Sequence, residues 1–122
     1  MAYTIEQQRE NRKKWVEALR SGKYNQGQSS LNVKNRFCCL GVLCEVVGVD
    51  KQRNESTGQT LYGKALNGSI CPEEAMCAVG LTSEYGNFDS NNSLVKLNDS
   101  EGASFKEIAD IIESEPNNLF IN

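Results

Sequence analysis

Phe37-Cys38-Cys39-Leu40-Gly41-Val42-Leu43-Cys44-Glu45-Val46-Val47-Gly48 is the longest nearly unbroken apolar run in the chain, and Glu45 is its only charge. Residues 37, 40, 44 and 47 recur at a helical spacing, and 39, 42, 43 and 46 cover most of the other faces. A helix that is apolar nearly all round must be covered on nearly all sides. Arg36 precedes the run, and Gly48 is a natural stop, because glycine takes the left-handed conformation beyond a helix end without a Cβ penalty. The run is too short for a bilayer, which takes about 20 apolar residues. It reads as the central buried helix, 37–48, of a small globular domain. A buried strand is the competing reading, since periodicity alone does not separate the two in a short apolar run.

Toward the N-terminus, Lys23 to Asn35 is loop-like, with Leu31 and Val33 as a short extended piece. Before it, Thr4-Ile5-Glu6-Gln7 is a capping box that starts a helix running to about Ser21, with Gly22 beyond its end. Trp15, Ala18 and Leu19 give that helix one apolar stripe, with Val16 beside it. Arg9, Arg12, Lys13 and Lys14 lie on or near the other side and read first as a solvated face. A phosphate contact requires such cations to cluster in space, and Arg12 is the candidate among them.

Toward the C-terminus, residues 50–70 are polar and punctuated by Gly58, Gly63 and Gly68, a loop with at most a short strand near Thr60–Tyr62. Pro72 suits the first position of a third helix, with Glu73 and Glu74 in its first turn and Gly80 ending it. Thr82 to Asn92 is a second polar loop, and Ser93–Asn98 a short helix. Ser104-Phe105-Lys106-Glu107 caps a final helix whose buried face is Phe105, Ile108, Ala109, Ile111 and Ile112, closed by Pro116. The expected fold is mainly α: one domain, 1–122, of about five helices around the central one, with long polar loops and at most a short β-hairpin. Long loops in a small domain are more often functional than not.

The 122 residues carry a net charge of −3, unevenly spread. Residues 1–61 hold ten Lys/Arg against six Asp/Glu, and residues 62–122 hold three against ten. That asymmetry suggests a basic and an acidic surface. The basic one could receive phosphates or dock on the acidic half of another copy, and two solvated faces without a partner explain it equally. Nothing at the N-terminus resembles a secretory signal, which points to the cytosol. Five cysteines, two of them adjacent, then read as reduced thiols rather than a disulfide framework.

Histidine is absent, which removes the usual general base and the commonest metal ligand. Cys38, Cys39 and Cys44 share the central run with no C-x-x-C pair, so they read as small buried hydrophobes rather than a metal site. Cys38 and Cys71 fall at expected helix starts, where thiolate is favoured, but no base partners them. No phosphate-cradling glycine loop or dinucleotide fingerprint appears. Catalysis is not expected, and neither is a cofactor. Binding is better supported. Tyr24, Tyr62, Tyr85 and Phe88 fall in loops beside Lys23, Gln26, Gln28 and Arg36, the planes, cations and amides that a nucleotide uses.

Trp15 to Tyr24, Gln26-Gly27, Phe37 to Cys44, Leu97-Asn98-Asp99 and Phe105 to Ile112 together resemble a widespread family of small bacteriophage proteins. The resemblance runs from about residue 12 to Phe120 and departs most between Lys51 and Asn67. It extends to phage anti-CBASS sponges, which bind the host's cyclic-nucleotide signal without cleaving it and work as oligomers. It implies a non-enzymatic immune-evasion protein of the host cytoplasm, acting as a homo-oligomer, dimer or tetramer. The implied ligand is a cyclic dinucleotide such as 3′3′-cGAMP, with no role for membrane or long nucleic acid. Tyr24 and Gln26 are favoured contacts because they fall in a matching motif. Alternatives are a sponge for a cyclic ADP-ribose derivative or a cyclic trinucleotide, and an inhibitor that covers a basic surface of a host defence protein.

Overall fold

Thr4 starts the first helix as its sequence requires. In the computed structural model, which describes residues 2–122, its hydroxyl accepts from the Gln7 N–H at 3.0 Å. The Gln7 side chain accepts from the Thr4 N–H at 2.9 Å, completing the capping box. Helix α1 then runs Ile5–Arg20 and buries Trp15, Val16 and Leu19. It packs on three other helices: α2 (Cys39–Val46), α3 (Glu73–Val79) and α5 (Phe105–Ser114). The Trp15 indole is fully buried and donates to the Cys39 carbonyl at 3.0 Å, which pins α1 to the start of α2. The short α4 (Leu94–Asp99) closes against α2 and α5.

The apolar run does form a buried helix, but a shorter one than 37–48. Phe37 belongs to a strand. Asn32–Val33 (β2) and Arg36–Phe37 (β3) pair antiparallel, with Val33 opposite Arg36 and Asn32 opposite Phe37. The two residues between them, Lys34 (φ 53°) and Asn35 (φ 62°), are both left-handed, as a two-residue hairpin of the twist-matched type demands. Asn25–Gln26 (β1) adds to β3 in parallel. Lys51–Arg53 (β4) and Thr60–Tyr62 (β5) form a second, antiparallel sheet, and a bridge from Val33 to Gln59 ties the two together.

The expected mainly α class is therefore corrected. Among the described residues the domain is a mixed α/β fold of five helices and two small sheets. The extended piece read at Leu31 and Val33 and the short strand read near Thr60–Tyr62 correspond to β2 and β5, whereas β1, β3 and β4 escaped the sequence reading because each is two or three residues long. That is too short to display the alternation by which a strand is read. Pro72 also differs: it is the extended residue before α3 (φ −67°, ψ 152°), not its first helical position.

Gly41 decides how the sheet region sits on the helices. A Cβ there would collide with the Leu31 carbonyl oxygen, so the backbone of the loop before β2 rests directly on α2. After α5, the chain returns along the end of α3. There the N–H of Thr82 donates to the Leu119 carbonyl at 3.1 Å, and that of Ile121 to the Gly80 carbonyl at 2.8 Å. Among the described residues, no helix is long and apolar enough to cross a membrane.

Candidate functional site

Three of the nine residues singled out in the sequence meet in one place. Gln26, Gln28 and Arg36 line an open cleft of about 380 Å³, together with Gly27, Asn98, Gly102 and Ala103. β1 supplies Gln26 and β3 supplies Arg36. Gly27 lets the two strands close up: a Cβ on it would sit 2.9 Å from the Arg36 Cβ, nearer than real side chains come. The opposite wall is the end of α4 and the turn after it.

Asn98 holds this wall to the sheet. It is 1% exposed, and its amide is fully used. Its Nδ2 donates to the Gly27 carbonyl at 2.9 Å and to Asp99 Oδ1 at 2.8 Å. Its Oδ1 accepts from Gln26 Nε2 at 2.9 Å and from the Cys39 N–H at 3.3 Å. Asp99 in turn accepts from the Ser29 N–H at 2.9 Å, across a residue with φ 69°. Buried polar groups are retained where every bond is made. The motifs Gln26-Gly27, Phe37–Cys44 and Leu97-Asn98-Asp99 lie apart in sequence and converge on this one amide. Sequence reasoning did not place Asn98 or Asp99 in the site. The signal available was an Asn-Asp pair that closes a short helix whose other residues are Leu94, Val95, Lys96 and Leu97.

Arg36 and Gln28 are the side chains the cleft offers to a ligand. Both are exposed, and no carboxylate lies within ion-pair distance of Arg36 among the described residues. Gln26 is already engaged with Asn98 and with the Ala103 carbonyl at 2.8 Å, so it shapes the floor. Lys23 is exposed on the approach to β1. Tyr24 is half-buried and meets the Phe37 ring edge-on, with centroids 5.2 Å apart and an interplanar angle of 89°.

The other candidates lie elsewhere. Tyr62 is fully buried: its hydroxyl donates to Glu45 Oε2 at 2.8 Å and accepts from Asn32 Nδ2 at 3.1 Å. Glu45 also meets Lys51 Nζ at 2.9 Å. Arg12 is 5% exposed and serves the fold. It donates to the Val79 carbonyl at 2.7 Å, to Glu115 Oε1 at 2.8 Å and to Asn122 Oδ1 at 2.7 Å, with its guanidinium 3.9 Å above the Phe120 ring. Burial lowers its pKa and Glu115 opposes that shift. Tyr85 and Phe88 sit on the loop before α4 and do not line the cleft.

The thiols at helix starts are not activated. Burial pushes Cys38 up to about 11, against the N–H groups of Gly41 and Leu40 that favour its thiolate. Cys71 is likewise raised well above the ordinary range by burial. Among the described residues no group of three or more His, Cys, Asp and Glu side chains is placed to hold a metal ion.

Fold and cleft together define a small mixed α/β domain with an open, polar, hydrogen-bonding site at the junction of its three-stranded sheet and α4. The family model for the Domain of unknown function (DUF8296) matches residues 7–116, and the chain belongs to that family. No curated protein and no solved structure matches it.

Proposed function

We infer that this protein binds and sequesters a cyclic-nucleotide second messenger, a cyclic dinucleotide such as 3′3′-cGAMP, in the cleft between β1, β3 and α4, without cleaving it. The observation that carries the reading is Arg36: an exposed guanidinium without a carboxylate partner among the described residues, at the edge of a cleft that also presents the Gln28 amide. Guanidinium binds phosphate through paired, charge-assisted hydrogen bonds. Amides suit the edges of a base.

At about 380 Å³ the cleft lies at the lower end of the range for ligand sites, roughly 300–1,000 Å³. A cyclic dinucleotide carries two phosphates and two bases, so a second copy of the chain supplies the other wall. The working form is then a homo-oligomer in the host cytoplasm. Sequestration needs only tight binding and enough copies, because it acts by mass action. The resemblance to anti-CBASS sponges supports the same reading.

The test is a thermal-shift screen of the purified protein against cyclic di- and trinucleotides and cyclic ADP-ribose isomers. Ligand at about 100 times Kd adds about 2.7 kcal/mol of stability, which raises Tm by several degrees. The expected result is such a shift with cyclic dinucleotides, with the ligand recovered whole after heating. No shift with any member overturns the reading, and recovery of a cleaved ligand would make the protein an enzyme.

A further inference from the structure

We propose that the groove between the C-terminal end of α2 and helix α3 docks a cationic, amphipathic segment of a partner protein. The groove measures about 870 Å³, more than twice the polar cleft, and lies apart from it: the two share no lining residue. Its floor is apolar. Val47, Val49, Ile70 and Met76 line it and are only half-buried. Leu66, between the lining residues Ala65 and Asn67, is 44% exposed.

The charge around this floor is one-sided. Among the described residues, Asp50, Glu73, Glu74 and Glu84 line the groove against a single cationic side chain, Lys64. None of these carboxylates has a Lys or Arg within ion-pair distance among the described residues. Glu74 is engaged internally, accepting from the Lys64 N–H at 2.7 Å. Asp50, Glu73 and Glu84 remain on the walls. An apolar floor between carboxylates complements a segment with an apolar stripe flanked by Lys or Arg, the pattern of a helix laid into a groove. The apolar contacts carry affinity, while the rim charges set rate and selectivity.

The excess of carboxylates in the lining disfavours phosphate-bearing ligands, so this groove and the nucleotide cleft suit different partners. A second copy of the chain does not supply the complement. On α1, Glu6, Glu10 and Glu17 interleave with Arg9, Lys13 and Lys14 and cancel their charge. The cationic tip around Lys34 and Arg36 carries Asn35 between them and no apolar stripe.

The experiment uses the full chain and a fluorescent leucine–lysine peptide of about four helical turns. One control peptide has glutamate for lysine, and another has serine for leucine. Binding is followed by anisotropy, and the footprint on the unaltered protein by hydrogen exchange. The expected result is saturable binding of the leucine–lysine peptide alone, with protection at residues 47–50 and 70–76. In the near-isosteric variant D50N/E73Q/E84Q, affinity falls by about tenfold or more. Equal binding of the serine peptide, unchanged affinity in the variant, or protection elsewhere on the surface overturns the proposal. So does self-association of the unliganded chain that protects the same segments, which would assign the groove to a second copy. The footprint is read on the unaltered protein, so it decides the matter even where the variant fails to fold.

Discussion

At the scale of single residues, Asn98 is the buried polar side chain that ties the elements of the cleft together. Its amide joins α4, β1, the residue after β1 and the first residue of α2. Removing it orphans the Gly27 carbonyl, the Cys39 N–H and part of the Gln26 amide. Each buried polar group left unpaired costs about 1–3 kcal/mol. Asn98→Ala is therefore expected to destabilise the domain by about 3 kcal/mol or more, read as a lower urea midpoint. A loss below about 1 kcal/mol would show that water replaces the amide. The cysteines bear on pH. An unfolded thiol ionises near about 8.5, whereas burial holds Cys38 up to about 11 and raises Cys39, Cys44 and Cys71 in the same direction. Between those values the folded state holds protons that the unfolded state has released. The Cys38 contribution is thus fully present below about pH 8.5 and is lost as pH rises through about 11, while the more strongly raised Cys39, Cys44 and Cys71 lose theirs at still higher pH. Urea midpoints should fall over that window, and Cys38→Ala should flatten the fall.

At the scale of elements, the helices were legible and the strands only in part, β2 and β5 where short extended pieces were read and the others not, for physical reasons. Thr4 and Ser104 are local devices: each cap and its Glu or Gln partner lie three residues apart, and both boxes form as read. The strands depend on distant partners, and two residues hold no period. The Lys34-Asn35 turn was a further local clue, since Asn favours the left-handed conformation that both positions adopt. The site was partly legible for a related reason. Gln26 and Gln28 precede the hairpin, Arg36 lies in its second strand, and all three were read from residue type. Tyr62 and Arg12 were misleading, because an aromatic ring or a guanidinium suits a ligand and a buried hydrogen-bonded core alike. Gly41 is where helix and sheet meet. Gly→Ala inside a helix ordinarily stabilises by about 1 kcal/mol. Here the added Cβ meets the Leu31 carbonyl oxygen. Gly41→Ala is therefore expected to have the opposite sign, a loss of about 1–3 kcal/mol from overpacking, measured by urea unfolding. A rise in stability would show that the Leu31 loop is held away from α2.

At the scale of the molecule, the uneven charge of the chain does not simply divide the surface into two faces. Part of it joins the two halves. Arg20 of α1 meets Asp110 at 2.6 Å and Glu113 at 3.0 Å on α5, and Arg12 meets Glu115 at 2.8 Å. The Arg20 pairs are solvent-exposed and contribute little to stability. Left over are the cations near β1 and β3 and the carboxylates around the apolar groove, on separate parts of the molecule. Arg36 belongs to the first set, and the nucleotide reading stands on it. The most direct measurement is calorimetric titration of 3′3′-cGAMP into the unaltered protein and into Arg36→Ala. A charge-assisted contact to phosphate is worth about 1.5–3 kcal/mol. The prediction is therefore a Kd weakened by at least about tenfold in a variant that melts as the parent does. Binding of equal affinity by both proteins would contradict the assignment of this cleft.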